Sequence, residues 1–168
     1  PQYQTYGIDT NPDADITIKA KKNHEEYDSS FPDLKRKLKF KDEDVLVVIA
    51  GAGKISGGSL RLLEQLQKNR LTVLYIEGDL TIMSEIQKKQ ERIVSSVLQE
   101  YARSGVLEQI IMVNNAYIER SIGDMSIIGY YDTLNQAIVN IVHMTNVFKH
   151  SEPVIGNFIT PSDLSRIC

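Results

Sequence analysis

The stretch VLVVIAGAGKISGGSLRLLEQL, Val45 to Leu66, decides the fold. Its apolar run, Val45–Ala50, has the composition of a central parallel strand covered on both faces. Four glycines follow within eight residues, at 51, 53, 57 and 58, and then Leu60, Leu62, Leu63 and Leu66 recur at helical spacing. Strand, glycine-rich turn and helix in that order present backbone N–H groups to an anion. A P-loop requires G-x-x-x-x-G-K-[ST], but Ile55 follows Gly53-Lys54 and Val48 stands where the first glycine belongs. A dinucleotide fingerprint begins with Gly51 and Gly53 and then meets Ser56 in place of its third glycine. A bare tight turn is the structural alternative, yet four glycines exceed what a turn needs, since each costs conformational entropy.

Around this core the chain has 168 residues, 42% hydrophobic and 24% charged, enough for one domain with a sizeable core. A net charge of -3 leaves no electrostatic footprint for nucleic acid. The densest basic run, KRKLKFK at 35–41, reads as a solvated helix face. A single cysteine, Cys168, excludes an internal disulfide and suits a reducing cytoplasm. No apolar stretch approaches the ~20 residues of a membrane span. Pro1 in place of a methionine points to a piece of a longer protein. His24, His143 and His150 show no metal-ligand spacing with one another or with Cys168, so no protein-held metal site is expected.

The alternation of apolar runs and helical periodicity predicts an α/β fold, three-layered and Rossmann-like, with a mostly parallel sheet and helices on both faces. Strands are expected over Gln4–Asp9, Asp15–Ala20, Val45–Ala50, Leu71–Ile76 and Leu107–Val113. Helices are expected from Pro32 to about Phe40, after the glycine loop, and from Ser84, capped through Gln87, to Ser104, with Gly105 closing it. A long core helix is expected from about Met125 to Phe148, with Ile127, Ile128, Tyr131, Leu134, Ile138, Ile141, Val142 and Thr145 on one face. Residues 1–150 form the domain, and 151–168 are a loop and the start of a following helix.

AGAGKISGGS, Ala50 to Ser59, resembles the signature phosphate loop of the FtsZ/tubulin family. Gly51, Gly53 and Gly57 fall on family glycines and Ser56 on the family threonine, while Lys54 and Ile55 replace glycines. The likeness continues in order through YGIDTNPD, EDVLVVIAG, RLTVLYIEGDL, LEQIIMVNN and YYDTLNQ, and it places the family's first strand and first glycine loop upstream of Pro1. The resemblance implies GTP or GDP as ligand, with phosphate contacts from Gly51, Ala52, Gly53, Lys54, Ser56 and Gly57. Asp9, Thr10 and Asn11 are candidate phosphate or Mg²⁺ contacts and equally good turn formers. Glu85, four residues before Lys89, is a ribose-side candidate or one half of a surface ion pair. Asn115, Tyr131 and Asn135 stand where the family addresses guanine, and a ring and an amide at i and i+4 share a helix face. Asn can accept from guanine N1–H and N2–H, which adenine cannot satisfy.

The family also implies head-to-tail self-assembly into cytoskeletal filaments in a bacterial or phage-infected cell, with GTPase activity at the subunit interface. There an acidic loop activates water. Anchoring IGNFITPSDLSRI on Asp163-Leu164 puts Thr160 at the acid position; a shifted register makes Asp163 the catalytic candidate. GTP binding is therefore better supported than hydrolysis. A catalytically inactive structural relative is the alternative, and a Rossmann-type dinucleotide enzyme the third.

Overall fold

The computed structural model describes residues 3–40, 43–123, 128–152, 154–156 and 164–167. Two short strands, β1 (Ile8–Asp9) and β2 (Ile16–Thr17), pair in parallel, and α1 (His24–Ser29) follows. Then come β3 (Asp44–Ala50), a 3₁₀ turn (Lys54–Gly58) that runs into α2 (Ser59–Gln65), β4 (Arg70–Glu77), α3 (Glu85–Arg103) and β5 (Gln109–Asn114). The last elements are α4 (Asn115–Ile122), α5 (Tyr130–Lys149) and β6 (Leu164–Ile167). The expected α/β architecture is present: β3, β4, β5 and β6 form one four-stranded parallel sheet in that order.

Two apolar clusters make three layers. On one face, Val45, Val47, Ile49, Leu71, Val73, Tyr75, Ile110 and Met112 pack with Tyr27 of α1, Leu63 of α2, and Val94 and Leu98 of α3. On the other, Leu74, Ile111 and Val113 meet Ile118 of α4 with Leu134 and Ile138 of α5. Burying each large aliphatic side chain contributes about 1.5–3 kcal/mol, so β4 and β5, covered on both faces, carry most of the sheet's stability.

Several local expectations are corrected. Val45–Ala50 is not a central strand: β3 lies at one edge of the sheet, and Leu46 and Val48 are 45% and 56% exposed. The layer of α4 and α5 covers β4 and β5 but stops short of it. Pro32–Phe40 forms no helix; a single turn, in which Leu34 accepts from Lys37 and Leu38, buries both leucines. Gln65 holds that segment open by accepting from Leu34 N–H and donating to the Pro32 carbonyl. The basic run from Lys35 to Lys39 is solvated around that turn, Leu38 apart. The helix forms earlier, as α1, where Asn23 accepts from Glu26 N–H and two acids occupy the first turn. The predicted strands Gln4–Asp9 and Asp15–Ala20 shrink to two residues each.

The capping box at Ser84 and Gln87 is present, and Gly105, at φ 77°, follows the end of α3. The long helix begins at Tyr130 rather than Met125, after Gly129 in the left-handed region. It turns Leu134 and Ile138 inward and leaves Tyr131 and Ile141 outside the buried stripe. Ile127 is outside the described residues. Leu164–Ile167 is a strand, where the start of a helix was expected. Pairing with the open edge of β5 overrides local propensity there, and Leu164 packs against the first cluster. No helix among the described residues is long and apolar enough to cross a membrane.

The outer edge of β3 borders a groove of about 750 Å³, reached from one side by Tyr6 and Ile8 and from the other by Val139 and Val142 of α5. Gly51 N–H donates to the Ile76 carbonyl at 2.8 Å, so the alternating peptide groups of Leu46 and Val48 point away from β4. An apolar strand edge of this kind pairs readily with other chains. The double variant Leu46→Lys/Val48→Lys should keep the melting temperature within ~2 °C while reducing self-association, read by light scattering over a concentration series.

Candidate functional site

The register aligns the carboxyl ends of three strands, since Ala50 pairs with Ile76, Ile76 with Val113, and Glu77 with Asn114. The glycine loop, the Gly78–Ser84 loop and Asn115 therefore emerge along one rim, the side on which open α/β sheets hold ligands.

In the glycine loop, Ser56 is buried, and its hydroxyl donates to the carbonyls of Gly53 at 2.7 Å and Gly51 at 3.3 Å. That hydroxyl closes the loop. Ile55 packs against the core and Lys54 is exposed, so the two residues that replace glycines divide between anchoring and surface charge. Gly53 N–H donates to Ala50 and Ser56 N–H to Gly53. The N–H groups of Ala52, Lys54 and Ile55 have no partner among the described residues. They form a short set of unpaired donors at the mouth of the 3₁₀ turn.

The glycines differ in why they are there. A side chain at Gly57 would meet the His24 backbone at 2.6 Å, and one at Gly58 the Phe31 ring at 2.3 Å. At Gly53 the nearest atom is Ile55 Cγ2 at 3.5 Å. Packing therefore requires glycine at 57 and 58, whereas Gly53 is free of that constraint.

Of the two asparagines after β5, Asn114 is engaged: its Oδ1 caps α4 by accepting from Ala116 N–H at 3.0 Å, and its Nδ2 donates to Glu77 at 2.9 Å. Asn115 Oδ1 is buried without a hydrogen-bond partner. Tyr131, in the first turn of α5, is 73% exposed and meets Tyr130 edge-to-face at 5.1 Å, and Asn135 is exposed one turn later. Core packing accounts for neither. Burial first, and then the Glu119 carboxylate of α4, push the Tyr130 hydroxyl above its ordinary range, and Tyr130 packs against the second cluster.

The remaining candidates have local partners. Asp9 accepts from Thr10 N–H at 2.5 Å, and Asn11 forms a turn by accepting from Asp13 N–H at 3.0 Å. Asp9 still borders the same groove as Ala50 and Ser56. Glu85 is exposed and pairs with Lys88 at 2.8 Å, not with Lys89. That hydrogen bond and charge lower its pKa. Thr160 and Asp163 lie outside the described residues. Among the described residues, no three His, Cys, Asp or Glu side chains gather into a metal-binding group.

Three contributors escaped sequence reasoning. Glu77 holds Asn114, Glu91 of α3 lies beneath Gly51, and Tyr75 faces Glu91 from β4. Only Glu91 carries a sequence signal: a charged residue on the inward stripe that Val94, Leu98 and Ala102 define along α3. No protein-family model, curated protein or solved structure matches this chain.

Burial holds the His24 pKa below its ordinary value of 6.5, against the opposing pull of Glu91 and Glu25. The folded state thus binds fewer protons here than the unfolded chain. The stability contribution is complete above about pH 6.5 and is lost as pH falls from there through the depressed folded value. Urea unfolding at pH 7.5 and 5 should show a smaller acid loss for His24→Gln than for the wild type; equal losses would refute it. Gly57→Ala should destabilise by about 1–3 kcal/mol, whereas Gly53→Ala should remain within about 0.5 kcal/mol of the wild type in the same assay.

Proposed function

We propose that this chain is the nucleotide-binding domain of an FtsZ/tubulin-like protein and binds GTP or GDP at the carboxyl rim of its sheet. The observation that carries the reading is a convergence. Unpaired N–H groups of Ala52, Lys54 and Ile55 share one rim with the unpartnered Oδ1 of Asn115. The first set suits phosphate oxygens, with Lys54 adding a point charge. The second accepts from a guanine N–H. Tyr131 offers a ring face to the base, worth about 1–3 kcal/mol, and Asn135 an amide on the same helix face. Any Mg²⁺ that accompanies the nucleotide would be held chiefly by its phosphates, since no protein cluster gathers for it among the described residues.

Head-to-tail assembly belongs to the same reading, with nucleotide part of a contact that does not close on itself. Binding without turnover is favoured over hydrolysis: Thr160 lacks a carboxylate, and Ile55, packed into the core, reshapes the phosphate loop.

Nucleotide extracted from the purified protein should be GTP or GDP; NAD(P) would overturn the assignment. Calorimetric titration should show GTP preferred over ATP. Asn135→Ala should weaken GTP about 10–100-fold with an unchanged melting temperature, as expected when a guanine edge loses its partner. Unchanged affinity would remove Asn135 and Tyr131 from the guanine site.

A further inference from the structure

Glu91 is 6% exposed. Its Oε1 accepts from the backbone N–H of Gly78 at 3.1 Å, and its Oε2 has no hydrogen-bond partner. The hydroxyl of Tyr75 is likewise buried and unpartnered. Both carboxylate oxygens and that hydroxyl lie 2.6 Å from the point where a side chain on Gly51 would begin. One carboxylate therefore underlies both loops of the rim: it bonds the start of the Gly78 loop and packs against the first residue of the glycine loop. Gly78 is itself pressed against the glycine loop, since a side chain there would meet Ala52 Cα at 3.1 Å.

Stability alone does not explain this arrangement. A buried carboxylate with an unsatisfied oxygen carries a desolvation penalty, and an apolar side chain of similar volume is commonly neutral or stabilising in such a place. Nor does simple electrostatics favour it, because a negative charge beneath the loop opposes any anion above. Burial, then the charge of Glu91 and the approach of its carboxylate to the phenol, push the Tyr75 hydroxyl well above its ordinary range, so Tyr75 remains neutral. The other ionisable groups that face this point are His24 of α1, which feels the Glu91 charge, and Glu77 at the end of β4.

We propose that Glu91 is the positioning residue of the rim, a carboxylate strut that fixes the glycine loop and the Gly78 loop at one spacing so that the unpaired N–H groups of Ala52, Lys54 and Ile55 are ready for a ligand. The affinity consequences rest on the guanine-nucleotide reading; the ordering of the two loops does not. Positioning and electrostatics predict opposite signs. Removing the charge alone tightens anion binding, whereas losing the strut weakens it.

Two variants of the whole protein separate these effects. Glu91→Met keeps the volume and loses the acceptor, and Glu91→Gln keeps an acceptor for Gly78. Hydrogen exchange over residues 51–58 and 77–84 should accelerate at least tenfold in Glu91→Met, with a melting temperature equal to or above the wild type. GTP should bind at least tenfold more weakly to it, guanosine equally well, and Glu91→Gln should restore both loop protection and GTP affinity. Unchanged loop protection in Glu91→Met, or tighter GTP binding, would overturn the proposal. Should Glu91→Met fail to fold, Gly51→Ala tests the strut from the loop side, and undisturbed exchange at 77–84 would overturn it. A wild type that binds no nucleotide refutes the proposed function alone, and the exchange measurements then decide on Glu91.

Discussion

The parallel pairing of β4 between β3 and β5 is the constraint from which the rest follows. Every residue from Asp44 to Ala50 has a partner in β4, and the ladder to β5 continues from Thr72 to Glu77. Leu71, Val73 and Tyr75 enter one core, and Leu74 the other. A slip of one residue would exchange these faces and expose both sets, so the register is locked by burial. Locking the register also fixes where the strands end. Ala50, Ile76 and Val113 lie at one level, within a residue of each strand's end, and loops far apart in sequence open on one rim. The position of the site is thus set by hydrophobic side chains that never touch it.

The glycine loop shows how one short segment divides its tasks. Gly57 and Gly58 admit α1 and Phe31, and Gly51 admits Glu91 and Tyr75. Ser56 spends its hydroxyl on the loop's own carbonyls, and Ile55 anchors the turn in the core. A loop tied to itself and to the core in this way leaves less to be ordered when a ligand binds. Apart from the Lys54 ammonium, its free donors are backbone groups, and those do not depend on which side chains stand at 52 and 54.

What could be read from the sequence follows from which interactions are local. The Ser84–Gln87 box, the Gly105 terminus and the apolar runs of β4 and β5 are written in adjacent residues, and these elements formed as expected. The edge position of β3 was not legible, because a continuous apolar run looks the same whether its second face is covered or left bare. Leu164–Ile167 followed the open edge of β5, whose paired residues stand 54 positions earlier in sequence. In α4, Asn114 acts as a helix cap, a role concealed by its place at a strand end. Site residues divided along the same line. The resemblance singles out Asn115, and the structure adds that its neighbour Asn114 is engaged with Glu77 and the start of α4. Glu91 was hidden because its role exists only where α3 crosses beneath the loop.

The charge around the rim gives this arrangement its chemical character. Glu77, Asp79 and Glu91 all lie near it, an unexpected environment for the proposed phosphate contacts. Each has work inside the protein, however. Glu77 accepts from Asn114, and Glu91 from Gly78. Asp79 accepts from the Thr81 hydroxyl at 2.6 Å and its N–H at 2.8 Å, bonds that hold its pKa below the usual range. One oxygen of each is engaged within the protein while the charge remains. An anion at this rim would be attracted by the N–H groups of Ala52, Lys54 and Ile55 and by the Lys54 side chain, and repelled by the three carboxylates. Such a balance favours a ligand that meets the donors at short range and carries a counter-cation, and it disfavours free inorganic phosphate. A nucleotide whose base is also held at Asn115 fits that requirement, because base contacts add affinity without adding to the repulsion.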